Sequence, residues 1–155
     1  MKSVLQAAAL ACLLVAPADA ASRHCVFRVH VEANARDGSV FSQSVRSLTG
    51  RNVFIEKTPW LSERDVKTFA TYRAPDGSYG ALLSLDDHGK TILDTLSMER
   101  RGSSLFIFLN GRLLTQLLID RRVSDGKIYL ASGLTEADAK LMAKDWKPIG
   151  DREKR

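Results

Sequence analysis

Two apolar segments joined by two turn residues constrain the fold more than any other part of the sequence. Residues 105–109 (LFIFL) are apolar throughout, and residues 112–119 (RLLTQLLI) follow after Asn110-Gly111. Asn-Gly between two β-forming segments is the strongest short-range signal for a β-hairpin, because both turn residues adopt positive φ. A strand that is apolar on both faces is covered on both faces. The chain is therefore expected to contain an antiparallel hairpin inside a layered fold.

Further turns and alternating segments predict the other strands. Pro75-Asp76-Gly77-Ser78 predicts a second hairpin, because Pro presets one turn dihedral and Gly accepts positive φ. Residues 33–50 predict a loop or a loose hairpin around Asp37-Gly38. The remaining strand segments share β-type alternation and are residues 25–32, 52–56, 70–74, 79–85 and 127–131.

Three helix starts follow from capping residues. Leu61-Ser62-Glu63-Arg64-Asp65-Val66 combines an N-cap, an acid three residues later and a hydrophobic staple, which predicts a short helix within residues 60–69. Asp86 or Asp87 caps a helix that ends near Arg101 and Gly102. Thr135 with Asp138 begins a final helix that reaches Trp146. Hairpins joined by such helices predict an α+β fold, with a largely antiparallel sheet and two to three helices packed on one face.

The N-terminal segment has the pattern of a signal peptide. Lys2 supplies a positive charge, residues 4–15 are mostly apolar, and Ala18-Asp19-Ala20 offers small residues for cleavage before Ala21. The apolar run is shorter than the roughly 20 residues of a transmembrane helix. A lipidation site at Cys12 lacks the expected Leu, and the apolar run continues past it. We therefore expect secretion, and a periplasmic location if the source is a Gram-negative bacterium.

Removal of residues 1–20 leaves Cys25 as the one cysteine. A single thiol excludes a disulfide framework and a zinc site made of cysteine pairs. In an oxidising compartment it either pairs with another chain or lies in the core. Alternation along residues 24–31 (HCVFRVHV) places Cys25 with Phe27, Val29 and Val31 on one face, which favours burial.

The residue types that carry chemistry do not converge in the sequence. His24 and His30 share a strand face but lie about 20 Å apart on an extended chain. His88 lies beside Asp86 and Asp87, which have capping roles. There is no Gly-x-Ser-x-Gly motif and no glycine-rich phosphate loop. We expect no metal ion, no cofactor and no enzymatic activity.

The formal net charge of +5 is spread over the chain. Acids such as Glu99 and Asp120 are interleaved, and aromatic residues do not alternate with the basic ones as on a nucleic-acid stacking surface. We expect a solvated surface and no nucleic-acid partner, with a loose attraction to anionic envelope components as the alternative. The basic residues concerned are Arg46, Arg51, Arg100, Arg101, Arg112, Arg121 and Arg122.

Several motifs occur in a characteristic order from residue 61 to residue 146. They are Leu61-Ser62-Glu63-Arg64-Asp65, Leu83-Ser84-Leu85-Asp86-Asp87-His88-Gly89, Phe106-Ile107-Phe108-Leu109-Asn110-Gly111 and Leu134-Thr135-Glu136-Ala137-Asp138-Ala139. This order resembles the periplasmic head domain of SecD and SecDF, the accessory factor of bacterial protein export. The chain departs from that family at Asn110, where Asp is usual, and at residues 114–117, where a proline is usual.

The resemblance implies a non-catalytic module that contacts unfolded polypeptide. The transmembrane helices of the family have no counterpart in the sequence, so its proton-driven cycle is not implied. The expected organisation is a signal peptide (1–20), N-terminal strands and loop of the same domain (21–60), a head-like module (61–147) and a tail (148–155).

The expected function is binding of a protein or unfolded polypeptide by addition of a strand to an open sheet edge, at residues 112–119 or 25–32. A dedicated envelope inhibitor or immunity-like protein for one partner is the alternative. A small hydrolase is a third possibility, and it would require a deep pocket with converging polar groups.

Overall fold

The computed structural model describes residues 24–150, and the predicted signal peptide and residues 151–155 lie outside this range. Ten strands and three helices occur within it. The strands are β1 (Phe27–Val31), β2 (Ser42–Arg46), β3 (Asn52–Glu56), β4 (Leu61–Ser62), β5 (Val66–Arg73), β6 (Tyr79–Leu85), β7 (Ser104–Leu109), β8 (Arg112–Leu118), β9 (Lys127–Leu134) and β10 (Lys147–Pro148). The helices are α1 (Gly38–Phe41), α2 (Asp87–Glu99) and α3 (Glu136–Asp145).

The strands form two four-stranded sheets and a separate two-stranded hairpin. The order in the first sheet is β4-β1-β7-β8, and the order in the second is β10-β5-β6-β9. All neighbours pair antiparallel except β10, which pairs parallel with β5. The α+β class and the antiparallel pairing are confirmed, but the strands are divided between two sheets.

One hydrophobic core joins both sheets to α2 and α3. Trp146 lies where the two sheets meet, with its ring edge-on to Phe27 of β1 at 6.3 Å and to Phe69 of β5 at 6.2 Å between centroids. Leu96 of α2 and Met142 of α3 are fully buried in the same cluster. Trp146 therefore joins residues of both sheets in one buried cluster.

The face of β1 that alternation predicted to be internal is buried. Cys25, Phe27, Val29 and Val31 are each no more than 1% exposed. Burial, with smaller contributions from Asp145 and Asp138, raises the pKa of the Cys25 thiol to about 12. Cys25 is therefore a protonated core residue.

The prediction of a helix within residues 60–69 is wrong. Ser62 and Asp65 do form the expected capping box, but it caps a single 3-10 turn over Glu63–Asp65. The chain then enters β5 at Val66, where residues 66–73 (VKTFATYR) alternate and pair with β6. β-branched and aromatic residues in that segment favour the strand over a continued helix.

The loose hairpin around Asp37-Gly38 is also misplaced. Residues 34–41 form a capped 3-10 turn followed by the single turn of α1. The hairpin lies further along, where β2 pairs with β3 through a turn at residues 47–50. Gly50 has φ +80° there, and the amide of Ser47 donates to the carbonyl of Arg51 at 2.8 Å.

The two long helices begin as predicted. The Asp86 carboxylate accepts a hydrogen bond from the Gly89 amide at 2.8 Å and caps α2. Thr135 and Asp138 form a reciprocal capping box at the start of α3. Both helices therefore begin at short polar side chains that accept from free backbone N–H groups.

In the second sheet, the Tyr72 side chain of β5 reaches across β6 to β9. Gly80 lies in an irregular part of the β6–β9 pairing, and the Tyr72 ring covers it. The Tyr72 hydroxyl donates to the carbonyls of Leu130 at 2.6 Å and Ala131 at 3.1 Å. Tyr129 stacks on Tyr72 with 5.6 Å between ring centroids. The sheet leaves no room for a side chain at position 80.

We expect Gly80→Ala to destabilise the fold. A Cβ at this position would lie 2.2 Å from the Tyr72 ring and 2.6 Å from the Ala131 carbonyl oxygen. The expected loss is about 1–3 kcal/mol in the free energy of unfolding, measured by urea denaturation. Ser84→Ala, on the same strand and the same face, is the control and should change it by less than about 0.5 kcal/mol. Equal effects of the two substitutions would contradict the tight packing at Gly80.

Candidate functional site

The two sheets end in strands β8 and β9, which separate and leave a cleft between them. Residues 119–126 join the two strands at one end of the cleft. At the other end the strands meet, because the Leu114 side chain packs against Gly133 and Arg112 donates to the Gly133 carbonyl at 3.1 Å. β8 and β9 are each the outermost strand of their sheet. Two strand edges therefore border one opening.

The cleft has a volume of about 630 Å³ and is mainly apolar. Its lining includes core residues from β1, α2 and β7 and exposed apolar residues of β8 and β9. The segment between these strands and the start of β9 add the charged residues Asp120, Arg121, Arg122, Asp125 and Lys127. Leu118 of β8 is 64% exposed and Tyr129 of β9 is 59% exposed. Such a cleft suits apolar side chains of a ligand. The apolar part of the lining includes Val29, Leu93, Ile107, Leu117, Leu118 and Tyr129.

The edge of β8 carries no charge between Leu113 and Leu118 (LLTQLL). Natural proteins protect free strand edges with charged residues, proline, bulges or a covering element, since an exposed edge pairs with other chains. β8 has one irregularity, between Ile107 and Phe108 of its partner strand, and this lies at the closed end of the cleft. The part of β8 that borders the open cleft is an unprotected edge.

The wall of the cleft is anchored to α2. Arg122 donates twice to the Asp94 carboxylate, at 2.5 and 2.7 Å. The Val123 amide donates to the buried hydroxyl of Ser97 at 2.8 Å, and that hydroxyl donates to the Asp94 carbonyl at 2.9 Å. These bonds tie the segment 119–126 to α2.

A buried carboxylate fixes the closed end of the cleft. Asp138 accepts hydrogen bonds from Asn110 at 2.8 Å and from the amide and hydroxyl of Thr135 at 2.9 and 2.8 Å, and it forms an ion pair with Arg112. Burial alone raises the pKa of Asp138, but the bonds from Thr135, Asn110 and Arg112 outweigh it and lower that pKa below its ordinary value. The charged carboxylate joins the β7–β8 turn to α3.

The histidines considered as metal ligands from the sequence have separate partners. His24 contacts the Asp145 carboxylate at 3.2 Å. His30 is buried, and its Nδ1 lies 2.7 Å from the Glu56 carbonyl oxygen. Burial lowers the pKa of His30, against the opposite effect of the bond to Glu56. The structure does not bring His24 and His30 together.

A third histidine does meet carboxylates, which the sequence did not reveal because Asp65 is distant in the chain. His88 Nδ1 lies 2.9 Å from Asp65 Oδ1, and the ligand atoms of Asp65, Asp86 and His88 lie within 4.8 Å of one another. Asp65 Oδ2 already accepts from the Ser62 amide at 2.7 Å, and Asp86 caps α2. The positive end of the α2 dipole also opposes a cation there. The cluster is therefore explained by the cap at Ser62, which includes Asp65, lying beside the Asp86 cap of α2.

Three of the basic residues singled out from the sequence form ion pairs with carboxylates. Arg100 pairs with Glu56 at 2.7 Å, Arg112 with Asp138, and Arg122 with Asp94.

Of the two strand edges expected to bind a partner, only β8 is an edge. Residues 25–32 contain β1, which lies between β4 and β7, so that prediction is wrong because β4 covers one side.

No protein-family profile and no curated protein sequence matches the chain. The fold is similar to that of solved SecDF structures. One, described as a membrane component SecDF that enhances protein export, gives a TM-score of 0.56 at 14% identity and covers 81% of this chain and 64% of that chain. A second, SecDF in a super-membrane-facing form, gives 0.55 at 13% identity, with 81% and 19% coverage.

The chain therefore spans less than two thirds of either SecDF chain. At these identities the likeness is one of fold, and it confirms the resemblance inferred from residues 61–146 at that level. Within residues 24–150, no helix has the length and apolar character required to cross a bilayer.

We expect Asp138→Asn to make the free energy of unfolding depend less on pH in the acidic range. Because the folded-state pKa of Asp138 is lowered, its stabilising effect is present above the unfolded-state pKa of about 3.9 and is lost as the pH falls through the folded value. The measurement is urea unfolding between pH 2 and pH 7. Glu99→Gln, at an exposed acid near the end of α2, is the control and should leave the shape of this curve unchanged. A variant curve parallel to that of the unsubstituted protein would contradict this role of Asp138.

Proposed function

We propose that this protein is a non-catalytic module of the cell envelope that binds extended apolar segments of unfolded polypeptide in the β8–β9 cleft. The observation that carries the proposal is the uncharged edge of β8 beside a preformed apolar cleft. An extended ligand adds to this edge as a further strand, and its backbone hydrogen bonds are independent of sequence. Every second side chain of the ligand then faces the cleft.

The lining of the cleft supports binding rather than covalent chemistry. Ser97 is a buried polar residue that lines the cleft, and its hydroxyl already forms hydrogen bonds with the backbone of Val123 and Asp94. Covalent catalysis by a serine requires an adjacent base and a free hydroxyl. The apolar floor instead offers burial at about 25 cal/mol per Å² of apolar ligand surface.

The proposed place of action is the periplasm, and the proposed context is protein export. The first rests on the signal-peptide pattern of residues 1–20. The second rests on the similarity of fold to SecDF, which is described as enhancing protein export. A dedicated inhibitor of one partner differs from this proposal in a measurable way, since it binds one protein tightly and unrelated unfolded chains not at all.

We expect Leu118→Lys to weaken binding of unfolded polypeptide about tenfold, because a charge on the free edge opposes strand addition and removes apolar contact. The ligand is a reduced, carboxymethylated protein carrying a fluorophore, and binding is followed by fluorescence anisotropy. Met98→Lys on α2 is the matched control, since Met98 is 50% exposed and is absent from the cleft lining. It should leave affinity unchanged.

A second measurement separates strand addition from general hydrophobic contact. A short apolar peptide is N-methylated at every second residue, in either of the two alternations. Only one alternation should abolish binding, because a strand added to one edge uses the N–H groups of every second residue. Equal loss in both alternations, or equal effects of Leu118→Lys and Met98→Lys, would overturn the proposal. Tight binding to one native protein alone would favour the inhibitor.

A further inference from the structure

The β2–β3 hairpin and α1 form a second exposed surface, which lies outside the cleft lining. Residues 36–57 form this surface, the hairpin surface. Ile55 is fully buried and anchors the hairpin to β1 through its bridge with Glu32. In the described structure, the hydrogen bonds of residues 43–53 lie within the hairpin. The hairpin is therefore a projecting element held at one end.

Large apolar side chains of this surface are exposed. Val40 and Phe41 of α1 are 74% and 71% exposed, Leu48 at the turn is 59% exposed and Phe54 of β3 is 36% exposed. α1 lies beside Phe54, and a shallow groove between them is lined by Gly38, Ser44, Phe54 and Lys57 among others. Single exposed apolar residues are ordinary, but this short segment exposes four large ones.

The cations of the hairpin surface have no ion-pair partner within residues 24–150, and they are Arg36, Arg46, Arg51 and Lys57. Of its two acids, Glu56 is paired with a cation, whereas Asp37 keeps its negative charge. Asp37 accepts from the Asn34 amide at 2.8 Å, and Glu56 is bonded to Trp60 and Arg100 at 2.7 Å each. The surface therefore presents a positive field together with exposed apolar groups.

We propose that the hairpin surface binds an anionic lipid bilayer. A bilayer interface places negative headgroups directly beside an apolar layer, so that it satisfies the free cations and the side chains of Val40, Phe41 and Phe54 at once. An acidic polymer satisfies only the cations. Apolar burial and attraction to anionic lipids reinforce each other, and such binding weakens with salt because the Debye length shortens.

The test is vesicle flotation with the protein in the form that the producing cell accumulates, its N-terminus read by mass spectrometry. Vesicles contain phosphatidylcholine alone or with about one quarter phosphatidylglycerol. We expect binding to the mixed vesicles, weakened at high salt and reduced at least tenfold in Arg46→Glu/Lys57→Glu. We also expect at least a fivefold reduction in Val40→Ser/Phe41→Ser.

The matched controls are Arg101→Glu and Met98→Ser, an exposed cation and an exposed apolar residue on another part of the surface. They should change binding less than twofold, and circular dichroism should show that all variants are folded. Equal binding to neutral vesicles, equal loss in the controls or no flotation would overturn the proposal. Retention of binding in Val40→Ser/Phe41→Ser together with equally tight binding to soluble polyglutamate would assign the surface to an acidic polymer instead.

Discussion

The buried carboxylate of Asp138 joins the β7–β8 hairpin to α3. Asp138 receives donors from Asn110 and Arg112 of the β7–β8 hairpin and from Thr135 at the cap of α3. An unpaired buried charge costs several kcal/mol, so the ionised Asp138 requires all of these elements to be present together. Trp146, at the other end of α3, packs on Phe27 and Phe69 and extends the same junction through apolar contact. α3 is therefore held at its start by the β7–β8 hairpin and at its end by residues of both sheets.

Local signals in the sequence determined most elements correctly. The Asn110-Gly111 turn has φ of 50° and 82°, which the two residue types tolerate, so the β7–β8 hairpin was predictable. The caps at Asp86 and Thr135 likewise act on neighbouring backbone groups. At Ser62 the cap was recognised but its consequence was not, since pairing of β5 with β6 overrides the helix signal after one turn. A cap determines where a helix begins, and tertiary contacts decide how far it continues.

The candidate site was only half predictable. The apolar character of residues 112–119 indicated a strand available to a partner, and β8 is such an edge. The cleft itself arises because β8 and β9 belong to different sheets, and no local pattern encodes which strands fail to pair. The same limitation applies to Asp65 and His88, which meet where the 3-10 turn that ends at Asp65 lies against the start of α2. The hairpin surface was missed because its turn at residues 47–50 lacks the usual dipeptide signal.

The pairing of β1 with β7 has a consequence for the order of folding. Phe27 lies opposite Leu109, so the central pair of the first sheet joins residues that are distant along the chain. Closing so long a loop is slow, and until it closes β1 has only its short pairing with β4. In a chain that emerges from its N-terminus, the β2–β3 and β5–β6 hairpins join neighbouring segments while β1 still lacks β7. The first strand of the described chain therefore receives its long partner only after β2 to β6 have emerged.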